Sequence, residues 1–230
     1  MRLPLRVLTL AATLSMGATC GSGSPAPVFC KPFPLARGYA TGRLPVAADF
    51  DGDGRADLGY AERDRIEIAL CVGGQKMSRP VTACNLGSPV VAVTTGDLLP
   101  GPGADVAAAL ADGRLALLGG FDGSAFRESQ ILETAVAGAP PLLVGDFDGD
   151  GHPELLTADA TGCWSLYSVH DAPRITQGVS GFRAIASGLE WSGRRGVAVL
   201  MPSGEVRLVR LDGSRWVHWL SIASDSSSIG

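Results

Sequence analysis

Charge is scarce in this sequence: acidic and basic residues together make up 18% of it, and Lys and Arg nowhere gather into the basic stripe of a nucleic-acid binder. The same shortage excludes a coiled coil or long-helix protein, which is built largely from Ala, Glu, Lys, Leu and Arg. Histidine occurs at three places, His152, His170 and His218, never with the His-x-x-x-His spacing of a helical zinc site, and there is no Gly-x-Ser-x-Gly elbow. The parts of a metal hydrolase or serine hydrolase are therefore missing. No apolar run is long enough to span a bilayer as a helix, because the longest covers only residues 7–16.

That short run has another use. Arg2 and Arg6 precede it and small residues follow it, which is the layout of a cleaved secretory signal over residues 1–19. Gly17, Ala18, Thr19 and Cys20 resemble a degenerate bacterial lipoprotein box, in which Cys20 becomes the lipidated N-terminus; secretion and a lipid anchor at the cell surface are both open. Removing Cys20 to lipid leaves Cys30, Cys71, Cys84 and Cys163, an even set suited to an oxidising compartment. A Cys71 to Cys84 bridge is expected across one hairpin, the other reading being free thiols in the core. Without the leader, Lys plus Arg falls from 19 to 17 against 23 acids, a formal charge of −6. Residues 20–43 read as a tether and an N-terminal strand, and residues 224–230 as a frayed tail.

With 31 Gly and 15 Pro, the remainder suits short strands joined by tight turns. Comparison of the chain with itself finds a repeat: LPVAADFDGDGRADLGYA at 44–61 returns as PLLVGDFDGDGHPELLTA at 141–158, with Asp49 and Asp146 97 residues apart. Half that distance predicts another copy near 97, and VAVTTGDLLPGPGADVAAAL supplies it, with Asp97 and Asp105 at the same step as Asp49 and Asp57. A weaker fourth copy, AIASGLEWSGRRGVAVL, has Gly188 and Gly196 in the matching places. Each copy offers an alternating strand, a nine-residue Gly-rich loop, a second strand, and two more joined by turns such as Asp112-Gly113 and Asp122-Gly123. Four strands per repeat predict an all-β fold over 44–223, a β-propeller of about four four-stranded blades. A partial propeller that closes by dimerising, or an open β-solenoid, fits the same period.

The two intact loops carry the chemistry. Asp49, Asp51, Asp53 and Asp57 stand at positions 1, 3, 5 and 9 of the first, and Asp146, Asp148, Asp150 and Glu154 at the same positions of the second. Four carboxylates in nine residues repel one another unless a cation lies among them, and an all-oxygen, flexible loop favours calcium over strictly octahedral magnesium. About two Ca2+ ions are expected. An EF-hand needs Glu at position 12 before a helix, but Tyr60 and Thr157 stand there, followed by strand-like residues. Phe50 and Phe147, at position 2, are expected to point into the packing between blades. Loops three and four, with Leu99 and Gly101 at ligand positions or only Glu190 retained, lack the ligands for an ion.

DFDGDGRADL and DFDGDGHPEL resemble the calcium loops of the FG-GAP and VCBS repeat families of integrin-α-type β-propellers. The resemblance implies that Asp49, Asp51, Asp53, the Arg55 carbonyl and Asp57 ligate one ion. It likewise implies Asp146, Asp148, Asp150, the His152 carbonyl and Glu154 for the other. Integrin-type propellers have seven repeats, against the four counted here. What remains points to binding: a non-enzymatic binding or adhesion module with a protein or glycan ligand on a propeller face, the rival being a lectin or a polysaccharide-active enzyme. Trp164, Trp216 and Trp219 are expected between blades. Trp191, in the fourth loop, is the candidate ligand contact. The sequence leaves the oligomeric state open.

Overall fold

The computed structural model describes residues 44–73, 76–132, 139–159, 161, 163–168, 174–191 and 194–222, with 188–191 and 194 described by backbone alone. The expected leader, Cys20, Cys30, the tether, the tail and His170 lie outside the described residues.

The repeat becomes four antiparallel sheets of four strands. Blade I contains β1 (Leu44–Ala48), β2 (Asp57–Glu62), β3 (Arg65–Ala69) and β6 (Val81–Asn85), with a side hairpin of β4 (Cys71–Gly73) and β5 (Lys76–Met77) inserted before its last strand. Blade II is β7 (Val90–Gly96), β8 (Asp105–Leu110), β9 (Leu115–Phe121) and β10 (Phe126–Leu132). Blade III is β11 (Leu142–Gly145), β12 (Glu154–Ala158), β13 (Cys163–Tyr167) and β14 (Arg174–Gln177). Blade IV is β15 (Ala184–Trp191), β16 (Arg194–Leu200), β17 (Val206–Asp212) and β18 (Arg215–Ile222). Every pairing among the described residues is antiparallel and runs in the up-and-down order of a propeller blade, which removes the solenoid.

Side-chain alternation explains how the blades stack. Along β8 and β9, Val106, Ala108, Leu110, Ala116 and Leu118 join the core shared with blade I, while Ala107, Ala109, Leu115 and Leu117 join the core shared with blade III. A sheet buried on both faces reads as an unbroken apolar run, which is what VAAAL and LALL are. A third core joins blades III and IV around Phe147, Leu156, Trp164, Val197, Val199 and Leu211. Trp164 is fully buried, its ring pressed against Gly178 where any side chain would overlap it.

The inner strands β1, β7, β11 and β15 pack in succession. With Pro140 and Phe182 they line an apolar lumen of about 470 Å³. Three cores serve four blades, and among the described residues no fourth core joins blade IV back to blade I. The described residues therefore form a partial propeller: on the outer face of blade IV, Leu200, Leu220 and Ile222 are 37%, 47% and 54% exposed. The sequence count of four blades was enough for a closed ring, but a count says nothing of how strongly neighbouring blades splay.

Two further expectations are corrected. Cys71 and Cys84 are free thiols. Cys84 faces Ile66 across the β3–β6 ladder, whereas Cys71 lies five residues beyond Ile66 in the inserted hairpin, an offset of about 16 Å along a strand that no disulfide bridges. Trp219 is 42% exposed and stands at the register shift between β17 and β18. Trp164 and Trp216 do lie between blades, their rings 4.8 Å apart.

Candidate metal centres

Each intact loop carries the chain from an inner strand to the next, from Ala48 to Asp57 in blade I and from Gly145 to Glu154 in blade III. The first aspartate organises the turn. Asp49 accepts the amides of Gly52, Asp53 and Gly54 at 2.8, 3.0 and 2.7 Å, and Asp146 accepts those of Gly149 and Gly151 at 2.6 and 3.0 Å. Gly52, Gly54, Gly149 and Gly151 have φ of 75°, 83°, 82° and 91°, the left-handed region that a curl this tight requires. The later aspartates repeat the device at shorter range, Asp51 and Asp148 accepting the amides of Asp53 and Asp150, and these in turn those of Arg55 and His152. The result is a coil of backbone with its carboxylates on one side.

In blade III, Asp146, Asp148, Asp150 and Glu154 each offer an oxygen within 4.8 Å of the others; in blade I, Asp49, Asp51 and Asp57 do so. Oxygens bound to one calcium at 2.3–2.6 Å lie at most about 5 Å apart, so both groups have the span to share one cation. Asp53 is the expected ligand that the blade I group leaves out; it is ion-paired with the guanidinium of its near neighbour Arg55. Asp148 is similarly paired with Arg174, a residue of β14 that the local motif did not reveal.

The electrostatics show the strain of this crowding. Burial pushes the Asp51 carboxyl above its ordinary value, and the charges of Asp57, Asp53 and Asp49 add to it, against a hydrogen bond from the Asp53 amide. Burial likewise raises Glu154 to about 7, with Asp148, Asp150 and Asp146 pushing the same way and the Phe147 amide opposing. For Asp148 burial also pushes upward and is the largest single influence, but hydrogen bonds from Arg174 and the Asp150 amide, with the charge of Arg174, together leave the carboxyl below its ordinary value.

The acid at position 9 has a second task that sequence reasoning missed. Asp57 and Glu154 are 2% exposed, and each accepts the amide of the position-2 phenylalanine, Phe50 at 3.0 Å and Phe147 at 2.8 Å. Both phenylalanine rings are fully buried between blades, as expected. In blade II, Asp105 is equally buried and accepts the amides of Leu98 and Leu99, both at 2.6 Å. The signal was in the sequence: blade II keeps this acid although its central ligand positions hold Leu99 and Gly101.

Position 1 also ties neighbouring blades together. The Asp49 carbonyl accepts the amide of Ala104 in the blade II loop, and the Asp146 carbonyl accepts that of Arg195 in blade IV, both at 2.7 Å. Gly103, at φ 81°, lets the blade II loop lie against the Phe50 carbonyl, where a side chain would overlap it. The fourth loop is gone: β15 and β16 pair up to Trp191 and Arg194, so Trp191 ends a strand instead of standing in a loop. Its side chain lies outside the described residues.

No protein-family model matches the sequence, and no curated protein matches it. Solved structures share its fold. An Agrocybe aegerita lectin, described as recognising non-reducing terminal N-acetylglucosamine, superposes with a TM-score of 0.57 at 14% identity over 79% of this chain and 52% of its own. BBS1N in complex with ARL6DN gives a TM-score of 0.54 at 14% identity over 79% and 54% of the two chains. The chain thus spans about half the length of the structures it resembles.

Proposed function

We propose that this chain is an exported calcium-binding propeller of the FG-GAP/VCBS repeat type, secreted or lipid-anchored at the cell surface through Cys20. In this reading it is a non-enzymatic binding module with a glycan or protein ligand. The observation that carries it is the convergence, in two loops 97 residues apart, of carboxylates at the same positions on one cation-sized space. Asp49, Asp51 and Asp57 hold one ion, joined by Asp53 when Arg55 releases it; Asp146, Asp148, Asp150 and Glu154 hold the other, and the Arg55 and His152 carbonyls complete the sets. The ion supplies positive charge that offsets the mutual repulsion of these acids, and so fixes the loops that tie blade I to II and III to IV. A glycan ligand is favoured by the fold shared with a lectin that recognises N-acetylglucosamine.

Ions bound with Kd about 0.1 mM, at about 1 mM free calcium, stabilise the fold by roughly 1.4 kcal/mol each. For two sites in a domain of this size, that is a rise in Tm of about 6–11 °C. Melts of the wild type in calcium and in chelator should show it, and the Asp51→Ala, Asp148→Ala double variant should lose it. Equal wild-type melting temperatures in the two buffers would remove the calcium reading.

A further inference from the structure

Between the outer parts of blades III and IV lies a cleft of about 340 Å³, at the small end of the range for small-molecule sites. Val209 and the indole of Trp216 form its floor, Gly178 and Val179 one wall, and Glu205, Arg207, His218 and Ser221 the other. The floor is rigid: Trp216 packs against Trp164 and donates its indole N–H to Thr176 Oγ1 at 2.9 Å.

The polar wall is made by an irregularity. Residues three apart on a regular strand point to opposite faces, but the register shift in the β17–β18 ladder turns His218 and Ser221 to the same side, with Nε2 and Oγ 2.8 Å apart. Ser221 donates to Glu205 at 2.5 Å, and Arg207 donates to the other oxygen of that carboxylate at 3.0 Å. The chain His218, Ser221, Glu205, Arg207 is thus oriented before any ligand arrives, which lowers the ordering cost of binding. It is not a hydrolytic triad. The serine proton points at the carboxylate, so the imidazole has no proton to take from it.

We propose that this cleft is a saccharide site, which takes a neutral pyranose through two adjacent hydroxyls; the assignment rests on the binding-module reading above. Glu205 accepts from one hydroxyl while the guanidinium of Arg207 donates to its neighbour, a pairing suited to a vicinal diol. The Trp216 ring offers an apolar surface to the C–H face of the sugar, and His218 closes the open side. Side-chain and ring hydrogen bonds already made within the wall leave the carboxylate ionised, since the bonds from Arg207 and then Ser221 hold Glu205 below its ordinary range.

The test is calorimetric titration of the calcium-loaded full chain with N-acetylglucosamine, galactose, mannose and glucuronate. It is repeated on Glu205→Gln, Arg207→Met and His218→Ala, each first checked for a wild-type melting curve. At least one neutral sugar should bind the wild type, and Glu205→Gln and Arg207→Met should each weaken it by about tenfold or more. In the unaltered protein the same sugar should move the Trp216 indole N–H resonance, a readout that does not depend on any variant folding. Binding that both variants retain, with the indole signal unmoved, refutes this site and leaves a glycan-binding module standing. Absence of binding by every neutral sugar overturns the site together with the glycan reading, and preference for glucuronate overturns the neutral-diol assignment.

Discussion

Asp105 carries the backbone-satisfying part of the work done by the acids at its position in blades I and III, without their cluster of carboxylates. It takes two buried leucine amides in a loop without a ligand set, so its work there is to satisfy the backbone. Truncation to Ala strands both donors away from water, and each costs about 1–3 kcal/mol. Asp105→Ala should therefore lower unfolding free energy by about 2–6 kcal/mol in denaturant titration, with or without calcium. Its titration gives a second check. Burial raises the Asp105 carboxyl above the ordinary 3.8, with the charges of Asp97 and Glu128 adding to it and the Leu98 and Leu99 amides opposing. A carboxyl raised by folding holds its proton longer in the native state, so its contribution to stability falls as pH climbs from the unfolded value through the raised one. Asn at this position lacks that slope. The stability of the wild type relative to Asp105→Asn should decline between pH 4 and pH 7, and a rise over that interval would show that the carboxyl is not raised.

At the scale of the strand and loop, the molecule alternates. Blades I and III carry the carboxylate loops, while blades II and IV each donate a backbone hydrogen bond to them from the eighth position of their own repeat, the amides of Ala104 and Arg195. Calcium should therefore act first on the I/II and III/IV seams. Hydrogen exchange at the Ala104 and Arg195 amides should speed up on adding chelator, while amides of the II/III seam away from both loops, such as Leu117, change less; uniform acceleration would contradict a local clamp. Much of this level was legible beforehand. Alternation and the Asp-Gly turns located all four strands of blade II, and the aspartate spacing located both loops, because each is written in residues close in sequence. Arg174, the β17–β18 bulge and the inserted β4–β5 hairpin were not legible. The first acts from 26 residues away on Asp148, and the others are set by how neighbouring strands fit, which no period in the sequence records.

At the scale of the molecule, three cores in a row join the four blades among the described residues, so each blade exchanges packing mainly with its sequence neighbours, as in a repeat array. Blade number was countable from the sequence, but the lack, among the described residues, of a core between the last blade and the first was not, because closure depends on the outer face of blade IV and not on any repeat. This arrangement predicts how the two metal loops combine. Asp51→Ala acts on the seam of blades I and II and Asp148→Ala on that of III and IV, with all of blade II and the inner strand of blade III between the two sites. Sites without shared partners add to within about 0.3–0.5 kcal/mol. The calcium-dependent losses of the single variants, each roughly 1.4 kcal/mol at the concentrations used above, should therefore sum to that of the double variant. A double variant that loses over about 1 kcal/mol more or less than this sum would mean that the II/III core transmits strain between the loops, and that the blades melt as one block and not as coupled neighbours.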